Sequence, residues 1–130
     1  EAARKITIRQ LLTHTSGLGD HVNAMARDPF RTRYRTVASM LELVRGVPPM
    51  FEPGSRWRYS NSGFLVLGAV IEKASGRDYY EYVRENVFAR VGMNDTDFYE
   101  LDHVNGGLAT GYVPASTGRT SRQRARSRSR

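Results

Sequence analysis

From Ile8 to Phe88 the apolar residues fall mostly at helical spacing, with glycine and proline closing the runs. Thr7-Ile8-Arg9-Gln10 has the form of a capping box: the Thr hydroxyl accepts the amide three residues on, and Gln reaches back. Ile8, Leu11 and Leu12 supply a short stripe that Gly17 and Gly19 stop, so residues 14–23 are expected to be a loop. Residues 24–35 mix small, polar and basic side chains around Pro29 and allow only a short helix. Thr36 is expected to cap a helix carrying Val37, Met40, Leu41 and Val44, which ends at Gly46 before Pro48-Pro49. Glu52-Pro53-Gly54-Ser55 predicts a turn, followed by an extended Trp57-Arg58-Tyr59. Asn61 or Ser62 should cap the strongest helix, with Phe64, Leu67, Val70, Ile71 and Ala74, closed by Ser75-Gly76. Asp78 and Glu81 suggest another capping box, opening a helix with Tyr79, Tyr82, Val83, Val87 and Phe88 on one side. The chain is predicted to be mainly α.

Its 130 residues suffice for one domain core, and the 39% hydrophobic content excludes wholesale disorder. No uncharged apolar run approaches the roughly 20 residues that cross a bilayer, and no signal-peptide pattern opens the chain. The absence of cysteine excludes disulfides and thiolate metal sites. The net charge of +7 is unevenly placed: six of the 20 basic residues are arginines between Arg119 and Arg130. The first 118 residues hold the other 14 against all 13 acids, a net charge of +1. The body is nearly neutral, so nonspecific polyanion contact is an expectation for the tail alone. The tail lacks aromatic residues for base stacking, which weakens a nucleic-acid reading. Residues 116–130, rich in Arg, Ser and Thr, are expected to be disordered, leaving 1–115 as the folded part.

Three segments resemble the serine hydrolases of the class C β-lactamase, penicillin-binding protein and esterase family. The first is Ile6-Thr7-Ile8-Arg9-Gln10-Leu11-Leu12-Thr13-His14-Thr15-Ser16-Gly17-Leu18. The second runs from Pro53-Gly54 and Trp57 through Tyr59-Ser60-Asn61-Ser62-Gly63-Phe64 to Leu67-Gly68, Ile71 and Ser75-Gly76. The third is Val91-Gly92-Met93 with Asp95-Thr96. Their order and spacing match from about Ile6 to Tyr112. The resemblance implies the helical subdomain of an α+β, transpeptidase-like fold, with a catalytic cleft between that subdomain and an antiparallel sheet. It implies acyl transfer on a small-molecule substrate (a β-lactam, a D-amino-acid peptide or a small ester) with no cofactor and no metal. Many such proteins are exported.

Three motifs meet in the family's cleft: Ser-x-x-Lys, Tyr-x-Asn, and a Lys-Thr-Gly or His-x-Gly strand. Only the second has a match here, in Tyr59 and Asn61. The two lysines, Lys5 and Lys73, are preceded at the required spacing by Ala2 and Val70, so no Ser-x-x-Lys occurs. Ser116-Thr117-Gly118 follows Tyr59 too closely to be the third motif. The expectation is an internal fragment whose nucleophile lies outside these 130 residues. By resemblance Tyr59 is the shared base and Asn61 contacts the lysine and the substrate amide. A phenol of pKa about 10 is a poor base at neutral pH, and a neighbouring ammonium remedies this by stabilising the phenolate. Without the resemblance, local pattern favours Tyr59 as a rim residue beside Trp57 and Asn61 as a helix N-cap. Ser60, between them on an extended segment, should face the opposite way.

Other constellations are weaker. His14 and Ser16 suggest a dyad, but the Gly-x-Ser-x-Gly elbow is absent, and loop hydrogen bonding is the simpler role. His14, Asp20 and His21 match no helical metal-ligand spacing. A non-catalytic scaffold of the same fold is the alternative to the enzyme.

Overall fold

A computed structural model of the chain describes residues 5–100, 102–103, 106–108, 112–114 and 120–122. They form two compact units, Glu1–Asp97 and Phe98–Arg130. The first is helical: α1 (Ile8–Leu12), α2 (Val22–Arg27), α3 (Val37–Arg45), α4 (Asn61–Ser75) and α5 (Tyr79–Val83). In the second, β1 (Tyr112–Pro114) pairs antiparallel with β2 (Thr120–Arg122), Val113 opposite Ser121. Of the tail expected to be disordered, only Thr120–Arg122 lies among the described residues, and there it is a strand. Among the described residues no helix is long and apolar enough to cross a membrane.

The helix starts follow local chemistry. Thr7 accepts the Gln10 amide while Gln10 Oε1 accepts the Thr7 amide at 2.9 Å, completing the capping box of α1. Thr36 and Ser39 exchange the same pair of bonds at the start of α3. A cap of this kind contributes about 1 kcal/mol. Asp78 accepts the amides of Tyr80 and Glu81 and opens α5. Beyond Val83 this helix widens into an i→i+5 turn over Arg84–Phe88, tightens over Ala89–Val91 and stops at Gly92.

The start of α4 departs from the expected cap at Asn61 or Ser62. Ser60 is the cap, extended at φ −147°, and its hydroxyl accepts the Gly63 amide at 3.3 Å. Asn61 is already the first helical residue, because its side chain is engaged elsewhere. As expected for alternation along an extended segment, Ser60 is buried while Tyr59 is exposed.

α4 packs against α1, α3 and α5. Its deepest residues are the small ones, Ser62, Gly63 and Gly68, with Leu11, Val37 and Val44 as the most buried apolar side chains around them. Phe64, expected in the apolar stripe, is half exposed. Small residues let the neighbouring helices approach closely, and the longer side chains are left towards the edges.

The loop after α1 crosses the segment that precedes α4. Met50 donates its amide to the Gly17 carbonyl, and Gly54 to that of Thr15, both at 2.8 Å. Gly54, at φ +84°, is the glycine of the expected Glu52–Ser55 turn, which the Ser55 amide closes onto Glu52 at 3.0 Å. At Gly17 the backbone has φ +77°, and a Cβ there would stand 2.1 Å from the Phe51 carbonyl oxygen. Gly76 shares the positive φ, at +70°, but has open space around it. Gly17→Ala is therefore expected to destabilise the chain by about 3 kcal/mol, a left-handed alanine plus an overpacked crossing. Gly76→Ala should lose only the first part, about 1 kcal/mol. Urea unfolding of the two variants checks this; equal losses would mean that the crossing is not tight.

Candidate active site

The two residues singled out by sequence are brought together. Tyr59 donates its hydroxyl to Asn61 Oδ1 at 3.1 Å, and the Tyr59 ring is 57% exposed. Asn61 is held from behind. Its backbone amide and its Nδ2 both donate to Asp20 Oδ2, at 2.9 and 2.8 Å. The other oxygen of Asp20 accepts the Val22 amide at 2.9 Å, at the start of α2. A carboxylate only accepts, so the Asn61 NH2 group must face Asp20 and its oxygen must face Tyr59.

His14 organises the approach to Tyr59. It holds φ +57°, a conformation costly for a residue with a side chain. Its carbonyl accepts the Arg58 amide at 2.9 Å, and its Nδ1 accepts the Ser60 amide at 3.3 Å. Its ring centroid lies 4.7 Å from that of Tyr59, 5.1 Å from Phe64 and 6.2 Å from Trp57. Trp57 is 66% exposed. Trp57 and Tyr59 thus flank His14 from the same side of the extended segment, beside the rim where Tyr59 presents its hydroxyl.

Beneath the rim lies a buried pair. Ser62, 0% exposed, accepts the His21 backbone amide at 3.0 Å, and its hydroxyl lies 3.0 Å from His21 Nδ1. Burial depresses the proton affinity of His21 more than the charge of Asp20 raises it. The His21 ring and the Ser62 hydroxyl share one hydrogen bond, whose direction follows the imidazole tautomer. For Asp20, burial raises the pKa, but hydrogen bonds from the Asn61 backbone, the Val22 backbone and the Asn61 side chain, with His21 nearby, bring it below the usual value.

The loop residues considered as a dyad or a metal set have other partners. His14 binds the Ser60 amide, and Ser16, buried, accepts the Leu18 amide at 3.4 Å. Asp20 and His21 are committed to Asn61 and Ser62. Among the described residues, the potential metal ligands that converge within 4.8 Å are Glu100, Asp102 and His103, all exposed in the second unit. Sequence reasoning placed Asp20 only among possible metal ligands. It lies 41 residues from Asn61, and no local spacing announces that pairing.

The family model described as Beta-lactamase matches residues 1–129, and the chain belongs to that family. It is 34% identical over 117 residues to penicillin-binding protein 4* of Bacillus subtilis, covering 83% of this chain and 25% of that protein. It is 31% identical over 103 residues to lovastatin esterase of Penicillium rubens, covering 76% of this chain and 26% of that protein. Among solved structures, it matches a penicillin binding protein from Bacillus halodurans with a TM-score of 0.77 and 35% identity, over 94% of this chain and 38% of that one. A D-stereospecific amidohydrolase from Streptomyces sp. matches with a TM-score of 0.69 and 28% identity, over 92% and 38%. The chain spans about a quarter of the length of these curated relatives. The helical first unit agrees with the helical subdomain that the resemblance implied.

The buried His21 makes stability depend on pH with a definite sign. Its folded-state pKa is below the unfolded value of about 6.5, so on acidification the unfolded chain takes up this proton first. Stability contributed at His21 is complete above that value and falls as pH drops below it. Asp20 adds the same behaviour below about 3.9, where the unfolded carboxylate protonates first. Urea midpoints are expected to decline between pH 7.5 and 5, and His21→Gln should flatten the decline. An identical slope in the variant would remove His21 from the account.

Proposed function

We propose that this chain carries the Tyr-x-Asn part of a serine hydrolase centre that transfers acyl groups from a β-lactam, a D-amino-acid peptide or a small ester. One observation carries the reading: an exposed phenol hydrogen-bonded to a carboxamide whose orientation is set from the protein side. That arrangement leaves the reactive edge of the pair toward solvent, where a substrate and a second group of residues can meet it. The names of the relatives, a penicillin-binding protein, an esterase and an amidohydrolase, support the same bond class, a carbonyl carbon bearing a leaving group.

In this reading the nucleophilic serine and its lysine come from a Ser-x-x-Lys outside these 130 residues. Tyr59, as a phenolate once the lysine ammonium has replaced its hydroxyl as the donor to Asn61 Oδ1, takes the serine proton as the oxygen attacks the carbonyl carbon. It returns the proton to the leaving group as the tetrahedral intermediate collapses. Asn61 binds the lysine and the substrate amide, keeping the reacting atoms aligned.

In the full-length protein that carries this chain, Tyr59→Phe keeps the ring beside His14 and removes only the phenolic oxygen. Turnover should fall by about 100-fold or more, with the melting temperature nearly unchanged. Activity within a few-fold of the parent would make Tyr59 a rim residue. The 130-residue chain alone is expected not to hydrolyse nitrocefin or p-nitrophenyl esters above a buffer control. Saturable turnover lost in Ser16→Ala would revive the His14 and Ser16 dyad instead.

A further inference from the structure

The two ends of a carboxamide are nearly the same size, so packing alone scarcely decides which faces Tyr59. Something must hold Asn61 with its oxygen outward. Asp20 meets that need, with an unusual concentration of bonds. One oxygen takes both the backbone and the side-chain N–H of Asn61, closing a ring that restricts both side-chain torsions of Asn61. The other oxygen is tied to Val22, so the carboxylate itself cannot swing away. Its negative charge also sits at the N-terminus of the 15-residue α4, where the helix dipole favours it. A carboxylate that served only to cap α4 would need the Asn61 backbone amide and nothing more. The additional bond to Nδ2 reaches the functional group.

We propose that Asp20 is a positioning residue of the site, and that its carboxylate fixes the Asn61 carboxamide with Nδ2 inward and Oδ1 directed at Tyr59. The proposal rests on the reading of Tyr59 and Asn61 as site residues for its catalytic consequence, but not for its geometry. Asp20 acts on Tyr59 through Asn61, which it holds by two hydrogen bonds. Replacing it by Asn, of equal shape but neutral, lets the Asn61 amide turn over, because the new side chain offers a donor as well as an acceptor. Loss of the outward oxygen then disturbs the Tyr59 hydroxyl without removing any atom of the pair.

The test uses nuclear magnetic resonance of the 15N- and 13C-labelled chain, with the Asn61 side-chain NH2 signals assigned through their carbon connectivity to the Asn61 backbone. In the unsubstituted chain, acid titration should move the Asp20 carboxyl carbon and the Asn61 NH2 signals with one shared midpoint. Separate midpoints would overturn the proposal, and this arm needs no variant to fold. In Asp20→Asn the Asn61 NH2 signals should shift and exchange faster with solvent. Asp28→Asn, which removes a carboxylate paired with Arg33 and Tyr34, should leave them in place. Asn61 NH2 signals unmoved in a folded Asp20→Asn would also overturn it. In the full-length protein, Asp20→Asn should lower kcat by about 10- to 100-fold with little change in KM. Adding it to Asn61→Ala should cost nothing further, since the two act in series. An additive loss would overturn the proposed route through Asn61. Should Tyr59→Phe prove silent while the Asn61 signals follow Asp20, the catalytic reading fails and the positioning stands. Should Tyr59→Phe abolish turnover while the Asn61 signals ignore Asp20, the positioning fails alone.

Discussion

The carbonyls of His14, Thr15 and Gly17 accept the amides of Arg58, Gly54 and Met50, and on this crossing the rest of the first unit depends. It joins the loop after α1 to the strand-like approach to α4 without forming a sheet. Backbone pairing of this kind satisfies groups that would otherwise be buried without partners, and it sets the register between two segments far apart in sequence. Once the register is set, His14 Nδ1 meets the Ser60 amide, Asp20 meets Asn61, and His21 meets Ser62. The candidate site is thus a product of loop docking, with α4 supplying only its first turn.

Such dependence on polar pairing matches the small apolar interior. Leu11, Val37 and Val44 are the buried apolar side chains among the described residues, whereas Ile8, Leu12, Trp57 and Phe64 keep half or more of their surface. The close approach of helices to Gly63 and Gly68 adds contact without adding much apolar area. Directional bonds therefore carry more of the specification of this structure than shape-filling does, and a directional bond is also what a site needs to hold a side chain in one orientation.

How much of this could be read from residues alone depended on distance along the chain. The caps at Thr7, Thr36 and Asp78 and the glycine stop at Gly76 were legible because each bond spans a few residues. The cap of α4 falls at Ser60 rather than at Asn61 or Ser62, and Asn61 is instead drawn to Asp20, a contact that local pattern does not contain. The widened turn after Val83 had no signal in the spacing of Val87 and Phe88. Tyr59 and Asn61 were picked out through the family resemblance; local pattern alone favoured a rim residue and a cap. Their partner Asp20 stayed hidden, since a single carboxylate in a glycine-rich loop looks solvated until its acceptor geometry is seen.

Loops are where protein sequences usually absorb insertions and deletions, because little of their backbone is fixed. Residues 14–20 are a counterexample. They are pinned at His14, Thr15, Gly17 and Asp20, and each pin is matched to a residue between Met50 and Asn61. One residue added or removed anywhere between Thr15 and Asp20 would leave some of these pairs out of step, as a slipped tooth does in a gear. The length of this loop is therefore as much a part of the site as the identity of its side chains, and a homologous chain with a loop of different length would have to orient its asparagine by some other means.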